Sequence, residues 1–203
     1  MNNTIDTIDI PSEELIEKEK LKEYSEAINE LAISKSSLEF SNKNSKHASI
    51  VIATILNYSK NEVLIYDDNL SGNISEHKEI FSLEESIEDF VVRGGKLHIV
   101  LSESREILSS LGKKLEFYTE FFKENISVSL ASDIFKNSVL FEEKNVFFSV
   151  GDKKMYRIEN QTNPENRLGK ADGSFNDEKT SKKLYDNFML ALNTCEPYFN
   201  QEK

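Results

Sequence analysis

Cysteine, glycine, proline and tryptophan are all scarce: the 203 residues contain one Cys, 7 Gly, 3 Pro and no Trp. A lone thiol, Cys195, excludes an internal disulfide. So little Gly and Pro, set against 13 Phe and 7 Tyr in a chain that is 38% hydrophobic, excludes a collagenous or low-complexity polymer and implies a regular globule. No period of repeat length is visible. No uncharged apolar run approaches the ~18 residues that span a bilayer, and MNNTIDTIDI has neither the basic nor the apolar region of a signal peptide. The expectation is a cytoplasmic protein with no membrane contact. Positive charge is also short, 25 Lys and Arg against 36 Asp and Glu, for a net charge of -11. Nucleic-acid affinity comes largely from cations that neutralise phosphates, so that partner is disfavoured. The best local basic patch is Lys153, Lys154, Arg157, Arg167 and Lys170. No His, Cys, Asp or Glu cluster has metal-ligand spacing. Gly94 and Gly95 precede a strand rather than a helix, the reverse of a phosphate loop. No metal and no cofactor are expected.

What is present is a clear succession of elements. Ser12 before Glu13 and Glu14 starts a helix of about 20 residues, with Leu21, Tyr24, Ile28, Leu31 and Ala32 at helical spacing. Its apolar stripe must be buried on its own domain or on a partner. Ser34 to Ser45 reads as a loop, and a second, buried helix follows with Val51, Ile52, Ile55 and Leu56. Strand and helix then alternate: Val63 to Tyr66, a helix opened by the capping box of Ser82 and Glu85 and closed by Gly94, Leu97 to Leu101, a helix carrying Leu111, Leu115, Tyr118, Phe121 and Phe122, and Ile126 to Leu130. Such alternation predicts a mainly parallel sheet flanked by helices. Beyond residue 130, SVLFE, NVFFSV and KMYRIE read as a strand meander, followed by a helix from about Asp177 to Asn193. The fold class is mixed α/β, with a helical extension over 1-40 and an α/β domain over 41-203.

Several constellations could carry chemistry. Asp67 and Asp68 follow the first strand, at the carboxyl edge where open α/β sheets place ligands. Arg157 and Glu159 alternate with Tyr156 and Ile158, so both should project from one face of a strand. Glu142, Glu143 and Lys144 form an E-x-K string near Asp133, a pattern that metal-dependent nucleases use on neighbouring strands. Of the three histidines, His98 lies inside a strand, His77 in a charged loop and His47 in the first turn of a helix.

The element order, the N-x-F-x-x-x-x-D string from Asn145 to Asp152, and GSFND from Gly173 to Asp177 before a final helix resemble the phospholipase D-like superfamily from about Lys46 to Leu192. That family carries H-x-K-x-x-x-x-D and then Gly-Ser-x-Asn; its His is the nucleophile, and its Lys and Asn hold the phosphate. The resemblance matches Asp152 to the Asp, Gly173 and Ser174 to the Gly-Ser, and Asn176 to the Asn. Asn145 stands at the nucleophile position and Phe147 at the Lys position, and the spacing from Asp152 to Gly173 exceeds the family's. An amide cannot attack phosphorus, so no catalytic residue is assigned. The resemblance implies an inactive member acting as an interaction or regulatory subunit, with a homodimer or another protein as partner, in a setting such as a bacterial defence-type system. The residual ligand-binding set would be Asp152, Arg157, Glu159, Ser174 and Asn176. Alternatives are a phosphate-ligand or nucleic-acid binding module using that cleft, and a nuclease built on Asp133, Glu142 and Lys144.

Overall fold

The computed structural model describes residues 12–42, 44–68, 70, 80, 82–102, 109–160 and 170–199. The Ser12 hydroxyl accepts the Leu15 N–H at 3.3 Å and starts α1 (Glu13–Ile33). Leu21, Ser25, Ile28 and Ala32 recur every three or four residues and are buried, because α1 lies along α2 (Ser45–Tyr58). The stripe is therefore covered by the chain itself. Eight consecutive residues of α2, Ser49 to Leu56, are buried, so this helix is packed on all sides. The segment between them, read as loop, contains the short strand β1 (Phe40–Asn42), whose pairing is with a strand 130 residues away in sequence. No described helix is long and apolar enough to cross a membrane.

β2 (Glu62–Asp67), β3 (Lys96–Leu101) and β4 (Ile126–Leu130) are parallel, joined by α3 (Leu83–Val92) and α4 (Ser109–Phe121). The Ser82 hydroxyl accepts the Glu85 N–H at 3.2 Å at the start of α3, and Gly94 leaves its end with φ +90°. The expected strand SVLFE does not form. Ser132 instead caps a short helix, α5 (Asp133–Ser138), whose Phe135 is fully buried against Tyr66 and Phe188. Only one bridge, Phe141 with Lys144, follows it.

β5 (Val146–Gly151), β6 (Met155–Asn160) and β7 (Ala171–Ser174) then form the antiparallel part, α6 (Glu178–Ala191) closes against it, and β8 (Glu196–Pro197) edges β4. The eight strands run β1-β7-β6-β5-β2-β3-β4-β8, with β5 antiparallel to β2 at the centre. The sheet is covered on both faces: α1 to α4 bury Val63, Ile65, Leu97 and Ile99, while α5 and α6 bury Leu64, Tyr66, Phe148 and Ile158. This is a mixed α/β architecture, an eight-stranded sheet flanked by helices.

Candidate functional site

Because β5 runs against β2, its first residues lie at the carboxyl edge of the parallel strands. Asn145 is exposed just before β5, and the Phe147 ring packs edge-on against Tyr66 at 5.3 Å. The strand letters at this edge are thus an amide, which cannot attack phosphorus, and a hydrocarbon, which cannot clamp a phosphoryl group.

The charged group beside them is Arg157, on the face covered by α1 and α2. Only 1% of it is exposed; Nε donates to Asn42 Oδ1 at 3.0 Å and a terminal nitrogen donates to Glu159 Oε2 at 2.5 Å. Arg157 has Ser149 and Gly173 as its cross-strand neighbours. Gly173 leaves no room for a side chain, since a Cβ there would stand 2.3 Å from the Tyr156 carbonyl oxygen and 2.5 Å from the Phe40 ring. Asp67, at the end of β2, accepts the Leu70 N–H at 3.1 Å. Burial, reinforced by the hydrogen bond and negative charge of Asp68, pushes its carboxyl up to about 7, against the pull of Arg157 and the Leu70 N–H. Tyr24 of α1 roofs the cluster, donating to the Ser41 carbonyl at 3.4 Å and stacking on His47 at 3.9 Å. Burial raises its phenol well above the ordinary tyrosine range, with Arg157 acting the other way. Beside this roof an open groove of about 530 Å³ runs between α1 and α2, where Lys46 meets Glu17 at 2.9 Å. The arrangement is a buried carboxylate-guanidinium network that can hold or share a proton, with the His47 imidazole stacked on its Tyr24 roof.

The structure brings together two of the five expected ligand-binding residues, Arg157 and Glu159. Asp152 sits in the β5–β6 turn with φ +50°, and its carboxylate accepts the N–H groups of Lys60, Asn61 and Glu62 at 2.7, 2.9 and 3.0 Å. It ties the meander to the amino edge of β2. Seven residues along β5 separate it from Asn145, roughly 24 Å at ~3.4 Å per residue. Ser174 follows Gly173 on β7 and points to the opposite face from Arg157, with its hydroxyl accepting the Asn176 N–H at 3.3 Å. Asn176 is exposed beside the same turn, where the Asp177 N–H donates to the Lys154 carbonyl at 2.8 Å. Asn145 and Asn176 consequently stand at opposite ends of the meander, and GSFND serves to enter α6, with Asp177 capping Thr180 at 3.0 Å. Gly173 and Ser174 are strand residues rather than a phosphate-holding turn.

Other expectations are also placed. Glu142 and Glu143 occupy a left-handed turn with φ 50° and 63°, not a strand end. Among the described residues no group of three His, Cys, Asp or Glu is disposed to hold a metal ion. Of the basic patch, Arg157 is internal, Lys154 pairs with Glu178 at 3.1 Å, and Arg167 lies outside the described residues, as does His77. His98 is a sheet histidine, bonded to Ser127 Oγ at 2.7 Å and facing Glu62 at 3.4 Å. The cluster members missed in the sequence, Tyr24, Asn42 and His47, come from elements whose only signal was helical spacing or loop polarity.

No protein-family model matches the chain, and no curated protein does. Solved structures do share its fold. One is TrmBL2, an archaeal chromatin protein whose structure shows a novel mode of DNA binding. It aligns over 91% of this chain and 64% of its own length, at 18% identity and a TM-score of 0.56. Another is NucT from Helicobacter pylori, aligned over 79% of this chain and 98% of its own, at 13% identity and a TM-score of 0.50. The phospholipase D family member Nuc from Salmonella typhimurium aligns over 79% of this chain and 99% of its own, at 10% identity and a TM-score of 0.49. The chain thus spans less than two thirds of the TrmBL2 chain, and at these identities the likeness concerns the fold.

Proposed function

We propose that this chain is a catalytically inactive phospholipase D-like protein that works as an interaction or regulatory subunit, through a second copy of itself or another protein. The observation that carries the reading is the state of the carboxyl edge. In the frame of the resemblance Asn145 and Phe147 would stand at the nucleophile and Lys positions, and the nearby cation, Arg157, is buried and donates to Glu159 and Asn42. A scaffold that keeps its sheet while its one candidate phosphate clamp supports the fold is suited to binding, not turnover. The division into a helical extension over 1-40 and an α/β domain over 41-203 belongs to this proposal, as does the cytoplasmic, bacterial defence-type setting. The test is hydrolysis of bis(p-nitrophenyl) phosphate and of single- and double-stranded DNA, with EDTA and with magnesium or manganese. No turnover above buffer is expected; turnover abolished by Asn145→Ala would overturn the proposal.

A second reading takes nucleic acid as the ligand, favoured by the likeness to TrmBL2 and by Lys179, Lys182 and Lys183, which are exposed on α6. Arg157 has no part in it. The net charge of -11 opposes it, so binding should be confined to low salt. Retention of DNA at physiological salt that is lost in the Lys182→Glu, Lys183→Glu double variant would promote this reading over the first.

A further inference from the structure

α4 buries Leu111, Leu115 and Tyr118, residues spaced four and three apart, against the sheet. Its outer side carries two more aromatics, Phe117 and Phe121, with 49% and 66% of their surfaces exposed. Their rings lie 4.2 Å apart, so they form one apolar ridge rather than two scattered side chains. Tyr118 is buried and Phe122 packs partly against the same core, whereas Phe121 stays outside it.

The charges around the ridge are ordered. Lys113 is exposed one turn before Phe117, and Glu120 is exposed on the same side near its far end. Turning a second copy end for end about a twofold axis at Phe117 lays one Phe117 on the other. It also sets Lys113 against the turn that carries the partner's Glu120 and Phe121. The ridge is thus complementary to its own reverse, the requirement of an isologous contact. A copy laid in the same direction would instead oppose Glu120 with Glu120.

We propose that the outer face of α4 is the surface through which two copies of this chain associate, as an antiparallel helix pair centred on Phe117. The proposal deepens the protein-partner reading above but does not depend on the absence of catalysis. A single helix pair buries less than the ~1,600 Å² of a standard interface, so the dissociation constant should be on the order of 10 µM rather than nanomolar.

Sedimentation equilibrium from about 1 to about 300 µM brackets that constant. The wild type should pass from monomer to dimer within this range. Phe121→Ser should abolish the dimer, and Lys113→Glu should weaken it roughly tenfold, while Lys113→Glu combined with Glu120→Lys should restore it to within about threefold. All three positions are exposed, and unchanged far-UV circular dichroism shows that each variant is folded. A wild type that stays monomeric throughout, a dimer indifferent to Phe121→Ser and Lys113→Glu, or a charge reversal that fails to rescue would each overturn the proposal. A monomer that is still inactive in the hydrolysis test would sink this surface alone and leave the inactive-scaffold reading intact.

Discussion

Arg157→Met separates a fold-supporting arginine from a ligand-holding one. In the native protein the guanidinium is 1% exposed, donates to Asn42 and Glu159, and attracts Asp67. Methionine fills much of the same volume but removes the cation, leaving the Glu159 carboxylate, 23% exposed, without the partner it holds in the native protein. Breaking a buried pair in this way typically costs about 3–5 kcal/mol, and the partial exposure of Glu159 places the expectation near the lower end. For a chain of this size a loss of about 3 kcal/mol lowers the urea midpoint by roughly 1–1.5 M. Far-UV circular dichroism is the signal of choice, because there is no tryptophan to report by fluorescence. Adding Glu159→Gln to Arg157→Met should recover at least half of the loss, since the second change removes the stranded charge. A single variant within about 0.5 kcal/mol of wild type would refute the reasoning, and a double variant less stable than the single one would refute it equally.

Two more predictions concern the same edge and its opposite. The native carboxyl of Asp67 is raised from 3.8 to about 7, so the folded state holds a proton that the unfolded state releases above pH 3.8. The stability this group contributes is present below pH 3.8 and is lost as pH rises through 7. Asp67→Asn should therefore flatten the decline in stability between pH 4 and 7, seen as urea midpoints at half-unit steps, and an unchanged profile would contradict the assignment. Asp152→Ala removes the acceptor of three backbone N–H groups and places a Cβ-limited residue at φ +50°, and should cost about 2–4 kcal/mol. Asp152→Asn, which retains one acceptor oxygen and tolerates this conformation, should cost less than half as much by the same urea titration.

Local chemistry made much of this protein legible in its sequence. The caps at Ser12 and Ser82, the glycine exit at Gly94, the buried runs of β2 and β3 and the helical spacing of α6 act over a few residues, and each element lies within a few residues of where the pattern put it. The pairing of Arg157 with Glu159 was likewise implicit in a two-residue strand period. SVLFE misled because its Ser138 closes α5 and its Phe141 folds back to bridge Lys144 in a tight turn, so the segment meets no neighbouring strand. Asn42 reaches Arg157 across 115 positions, and Tyr24 stacks on His47 only because α1 docks on α2. The string GSFND looked like a partner for Asn145, yet antiparallel pairing of β5, β6 and β7 sends its Asn to the far end of the meander. The sequence by itself determined most of the helices and the central parallel strands, and which chemistry β5 lacks, because those follow from neighbouring residues. Which side chains surround Arg157, and which aromatics α4 leaves outside, was decided by the order and direction of strands, a global property that no local pattern encodes.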